Sequence, residues 1–155
     1  MKYLKQYTLL AIAVSLSFAA CKKSSDTTPA NSTIITTTKD TMGATINGNL
    51  WTINTYSFGL VSSGGVGNLE IGGTDSTGVN GIDITLNDYV ENPKTYTITA
   101  NGTDSANFYY NGGERHHATK GTVKIIAVTD KYIQGTFEFT ADSYVITSGV
   151  FNYKL

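Results

Sequence analysis

From Gly43 to Leu155 apolar and polar residues alternate with a period of two, and this pattern restricts the segment to half-buried β-strands. Ile82, Ile84 and Leu86 interleave with Asp83, Thr85 and Asn87. Tyr96 and Ile98 interleave with Thr95, Thr97 and Thr99. Phe137 and Phe139 interleave with Thr136, Glu138 and Thr140, and Phe151, Tyr153 and Leu155 with Val150, Asn152 and Lys154. Successive side chains of a strand point to opposite faces, so each run supplies one apolar and one solvated face. No stretch keeps a 3.6-residue period over three turns, so little helix is expected. The abundance of Thr, Val, Ile and Tyr agrees.

Turn chemistry divides the segment. Asn47-Gly48 is a two-residue hairpin signal. Ser62 to Gly65, Thr77-Gly78, Asn92-Pro93, Asn101-Gly102 and Asn111 to Gly113 are further breaks. The strands expected are 43–47, 49–60, 66–73, 80–88, 94–100, 106–111, 119–129, 131–141 and 145–154. About nine short antiparallel strands predict an all-β domain, a sandwich or flattened barrel. Strand–helix alternation is missing, so a parallel α/β sheet is not expected. The core is expected from Ile46, Trp51, Ile53, Leu69, Ile71, Ile82, Ile84, Leu86, Tyr96, Ile98, Val123, Ile125, Ile133, Phe137, Phe139, Phe151 and Tyr153.

Residues 1–20 have a different character. Lys2 and Lys5 precede an uncharged stretch from Thr8 to Ala20, too short to span a bilayer, which takes roughly 20 apolar residues. This reads as a targeting segment. Ala19 and Ala20 then precede Cys21, the single cysteine of the chain, so no disulfide forms within it. Residues 22–42 are rich in Ser, Thr, Lys and Asp, without apolar periodicity, and read as a flexible tether. The whole chain has eleven basic and twelve acidic side chains; without Lys2 and Lys5, nine basic residues remain. That balance lacks the basic footprint of a nucleic-acid binder.

The Ala19-Ala20-Cys21 sequence resembles the lipobox of bacterial lipoproteins, with Phe18 at a position where aliphatic residues are usual. The resemblance implies cleavage before Cys21 and a lipid on its thiol. Each buried methylene adds about 0.8 kcal/mol, so two or three acyl chains anchor firmly. The domain's opening, Asn47-Gly48 followed by Trp51, resembles small bacterial outer-membrane lipoproteins with a single β domain of unknown function. So do its closing strands, with Gly135, Phe137, Phe139 and Ala141, then Gly149, Phe151 and Tyr153. Membership would imply an anchor and a fold, not an activity. Lipocalins are a weaker comparison, because Gly48 and Trp51 stand three apart rather than two.

Candidate sites are sparse. Glu114, His116 and His117 offer metal-ligating types, but neighbours on a strand face apart and no third ligand has a recognisable spacing. The expectation is a solvated polar loop over 114–117. Asp75 to Asp83 offers oxygen ligands in a Gly-containing turn, without the calcium-loop pattern. Asp88 and Glu91 flank a turn and are not expected to act as a catalytic pair. The chain has no nucleophile elbow or phosphate loop, and no cofactor is expected. Aromatic residues are the stronger lead. Tyr56, Phe58, Tyr89, Phe108, Tyr109, Tyr110, Tyr132 and Tyr144 exceed what one core absorbs. Phe108, Tyr109, Tyr110, Tyr56 and Tyr132 are therefore the candidate ligand-binding residues, with cross-strand pairing as the structural alternative. Asp26-Thr27, Asp40-Thr41, Asp75-Ser76 and Asp104-Ser105 resemble a bacterial O-glycosylation sequon.

The organisation expected is a cleaved signal over 1–20, lipidated Cys21 and tether over 21–42, and a β domain over 43–155. The function expected is that of a non-enzymatic binding or structural module, monomeric and lipid-anchored at the outer membrane, with the periplasmic face favoured. A carrier of a small apolar ligand and a carbohydrate-binding module are the alternatives. A glycan or an envelope protein is the expected partner.

Overall fold

The computed structural model describes residues 40–63 and 66–155. The expected signal segment, Cys21 and the tether through residue 39 lie outside the described residues, as do Gly64 and Gly65. Residues Ile35–Leu155 form one unit, and its described part is antiparallel strand and turn with no helix.

Ten strands follow one another: β1 (Thr41–Ile46), β2 (Asn49–Thr52), β3 (Thr55–Ser63), β4 (Val66–Thr74), β5 (Gly81–Val90), β6 (Lys94–Thr99), β7 (Ser105–Tyr110), β8 (Glu114–Val128), β9 (Tyr132–Ala141) and β10 (Tyr144–Lys154). Nine of them form a curled path, β2-β1-β10-β9-β8-β7-β5-β4-β3, with β6 paired to β8 beside it. The result is a half-barrel, consistent with the flattened barrel or sandwich expected from the alternation.

Two segments turn the corners. β8 pairs with β7 through Glu114–His117, then with β6 through Lys120–Ile125. β9 accompanies it from Ala118 to Val128, and the register shifts between Ala118 and Lys120. A bulge of this kind bends a strand and increases its twist. The second corner lies where one strand was expected over 49–60. The chain instead breaks at Ile53 and Asn54: Trp51 pairs with Ala44 of β1, but Thr55 pairs with Thr74 of β4. The Ile53 amide donates to the Met42 carbonyl at 3.0 Å and the Asn54 amide to the Thr74 carbonyl at 2.8 Å. The two ends of the path are therefore consecutive in sequence.

The concave faces share one core, with Leu69, Ile82, Leu86, Val123, Ile125, Ile133 and Tyr153 fully buried. Tyr153 of β10 stacks on Phe58 of β3 with ring centroids 5.6 Å apart. Glycine fits where rings lie against backbone: a Cβ on Gly149 would stand 2.5 Å from the Phe137 ring. Ile46 and Ile53, expected in the core, are only partly buried against it. Met42, Tyr89, Phe108 and Ile146 are buried members that the alternation had not identified.

Candidate functional site

Four connections gather at one end of the half-barrel: the β1–β2 hairpin, the β4–β5 loop, the β7–β8 turn and the β9–β10 turn. Three of them hold an Asn or Asp at positive φ, and the β4–β5 loop holds Gly78 (φ 69) there. Asn47 (φ 47) and Gly48 (φ 83) make the first turn, Asn111 (φ 51) opens the third and Asp142 (φ 51) the fourth. Asn and Asp tolerate this left-handed region better than other non-glycine residues.

Hydrogen bonds join these turns in pairs. The Asn47 side-chain carbonyl accepts from the Val145 amide at 2.8 Å, and the Asn47 amide donates to the Val145 carbonyl at 3.0 Å. In the β4–β5 loop, Asp75 accepts from the Thr77 amide at 3.0 Å, the Thr77 hydroxyl at 2.5 Å and the Asn80 side-chain amide at 2.8 Å. Partial burial pushes the Asp75 carboxyl up, but the bonds from Thr77 and Asn80 outweigh it and lower its pKa to about 2. The Asn80 carbonyl accepts from the Asn111 amide at 3.3 Å, and the Gly112 amide donates to Val79 at 3.0 Å.

Between the turns lies a cleft of about 370 Å³ lined by Ile46, Asn47, Asn49, Leu50, Trp51, Asp75, Asn80, Phe108, Tyr110 and Tyr144. Tyr110 and Leu50 are exposed, at 44% and 81%, and Tyr144 is half-buried. Tyr144 packs 4.7 Å from Phe108 and 5.7 Å from Tyr110, giving a continuous aromatic wall. Trp51 also lines the cleft. It is 6% exposed, and its indole N–H, shielded from solvent, has no hydrogen-bond partner among the described residues.

Behind the wall stands His116. Residues 114–117, expected as a solvated loop, are instead the first turnless stretch of β8. His116 faces inward and is buried, whereas His117 faces outward and is exposed. His116 Nδ1 lies 2.8 Å from a carboxylate oxygen of Asp142, and its ring packs 4.7 Å from Tyr144. Its Nε2 is 3.8 Å from Glu114. The polar run tolerates a strand because Asp142, 26 residues later, partners the inward imidazole. Glu114, His116 and His117 do not converge, and among the described residues no cluster of three His, Cys, Asp or Glu has metal-binding geometry.

The aromatic candidates separate. Phe108 is buried and Tyr110 exposed, both at the cleft. Tyr109 faces away from them, with Arg115 5.9 Å from its ring centroid. Tyr56 is exposed beside β4, 6.0 Å from the Tyr153 ring, and Tyr132 is half-buried at the start of β9. Asp88 adopts φ 53 with an exposed side chain, and Glu91 is exposed in the following turn. Sequence reasoning did not single out Trp51, Asn47 or Asn49 as site residues; Asn80 entered only within the Asp75 to Asp83 turn, and Tyr144 only among the surplus aromatics. Asn47-Gly48 marked a turn, but only topology shows that the turns share one end.

Comparison of the chain with protein-family models, curated proteins and solved structures gives no match.

Proposed function

We propose that this chain is a lipid-anchored envelope protein whose β domain is a non-enzymatic binding module working through the loop-end cleft. The observation carrying this reading is an aromatic wall beside Asn47, Asp75 and Asn80, held in one cleft by hydrogen-bonded turns. Small-ligand sites combine apolar walls with a few fixed polar groups in this way. Turns already ordered before binding reduce the entropy cost of association.

His116 and Asp142 resemble half of a catalytic relay. However, the imidazole is enclosed by Phe108 and Tyr144, and no hydroxyl or thiol is hydrogen-bonded to it among the described residues. That arrangement supports a role in bracing the cleft wall. An apolar carrier has less support, because large side chains, Leu69, Leu86, Ile125 and Tyr153 among them, are buried in the interior. The anchor rests on the lipobox resemblance around Cys21. The periplasmic face of the outer membrane is favoured.

Trp51 is the single tryptophan of the chain, so its fluorescence reports this cleft alone. Titrating the full chain with low-mass and glycan fractions of a bacterial envelope should shift that emission saturably. Emission unchanged by every fraction would contradict the reading.

A further inference from the structure

We propose that the cleft takes a neutral saccharide ring, stacked on Tyr110 and Tyr144 and hydrogen-bonded through its hydroxyls to the polar side chains around them. This rests on the binding reading and names its ligand class. The first argument is shape. Tyr110 and Tyr144 stand 5.7 Å apart with planes 38° to each other, forming an open and shallow aromatic surface. A pyranose matches such a surface, because its axial C–H groups make one face apolar while its hydroxyls project around the edge.

The second argument is which hydrogen-bonding groups remain. Asp75 Oδ1 accepts twice from Thr77, and Asp75 Oδ2 once from Asn80. The Asn47 side-chain oxygen accepts once from the Val145 amide, and that of Asn80 once from the Asn111 amide. An oxygen with one bond keeps a lone pair, so these three side chains can each accept from a ligand hydroxyl.

The third argument is charge. Asp75 is the one charged residue in the lining, and no Lys or Arg joins it. An ionised Asp75 disfavours phosphates and uronates. Three of its acceptor positions are already filled, which weakens pairing with an ammonium. A ligand without net charge remains. The volume of about 370 Å³ lies near the lower end of ligand clefts, which run from about 300 to 1,000 Å³, and suits one or two rings rather than a long chain.

The test titrates the full chain with glucose, galactose, mannose, N-acetylglucosamine and their short oligomers, reading Trp51 emission. Glucuronate, choline and laurate are run alongside. The expected result is a saturable shift with at least one neutral saccharide, weakened at least tenfold by Tyr110→Ala and retained in Tyr56→Ala. Tyr110 is exposed, so its removal leaves the fold intact; a circular dichroism melt of the variant checks this. A second variant, Tyr144→Ala, read by the same emission, should lose affinity as well, with its melt checking the fold. A response to glucuronate, choline or laurate but to no neutral saccharide would overturn the ligand class and leave the binding reading standing. Silence toward all of them, with a response to envelope fractions, would do the same. Saccharide binding unaffected by Tyr110→Ala and Tyr144→Ala would overturn the assignment to this cleft.

Discussion

The hydroxyl of Tyr153 donates to the carbonyl oxygen of Gly72 at 2.9 Å, linking β10 to β4 across the core. These strands are not neighbours in the sheet path, so the bond closes the half-barrel where no backbone ladder does. Tyr153→Phe should cost about 1 kcal/mol, a typical net value for one hydrogen bond, measured as a lower urea midpoint. Gly72→Ala should cost more, because a Cβ would stand 2.5 Å from the Ile82 carbonyl oxygen. Deleting residues 149–155 removes Phe151 and Tyr153 together and should unfold the domain, seen as loss of near-ultraviolet dichroism. An unchanged melting temperature in the deletion would refute this account of β10.

Asp142 holds the buried imidazole of His116, which supports Tyr144 at the cleft. Asp142→Ala leaves that ring nitrogen unpaired, at a cost of roughly 1–3 kcal/mol. Asp142→Asn keeps an oxygen acceptor and tolerates the same positive φ, so it should cost less. Thermal melts rank the two variants, and Tyr144 ring resonances should move in the alanine variant alone.

Two buried tyrosines set an alkaline limit. Burial raises the Tyr89 hydroxyl to about 12, with help from Glu91, and burial with Asp40 and Asp83 nearby raises Tyr153 further. Above pH 10, the ordinary tyrosine value, the unfolded chain releases these protons while the folded chain keeps them. Stability is therefore complete below pH 10 and falls as pH rises toward the folded values. The slope approaches about 1.4 kcal/mol per pH unit for each tyrosine. Urea midpoints measured from pH 8 to pH 12 check it. Tyr89→Phe should reduce the slope, and it removes a buried hydroxyl that has no partner among the described residues.

Much of the fold was legible because alternation reports which face is buried. Ile82, Ile84 and Leu86 fall inward as their spacing requires, and Asn47-Gly48 forms its turn. The break at Ile53-Asn54 was not legible. Trp51 and Ile53 continue the period while the backbone changes partner from β1 to β4, and a periodicity carries no information about partners. Residues 114–117 were misread for a related reason. A polar run looks solvated until the partner of its inward residue is known, and Asp142 is distant in sequence. The cleft was legible only in fragments. Phe108 and Tyr110 stood out as surplus aromatics, but the convergence of Asn47, Trp51, Asn80 and Tyr144 is set by sheet order.

The anchor has its own check. Cells fed a clickable palmitate should label the wild-type chain and leave it in the membrane fraction. Cys21→Ala should lose the label and appear in the soluble fraction. A wild-type chain that is unlabelled and soluble would contradict lipidation.

The most direct test of the central claim, that the loop-end cleft is the binding site, is amide chemical-shift mapping of the full chain. The titrant is whichever saccharide or envelope fraction moves Trp51 emission. The expected result is a cluster of shifts at Asn47, Trp51, Asn80, Tyr110 and Tyr144. Shifts gathered instead around Asn107 and Arg115 on the outer face, or at the Asn92–Lys94 turn, would contradict it.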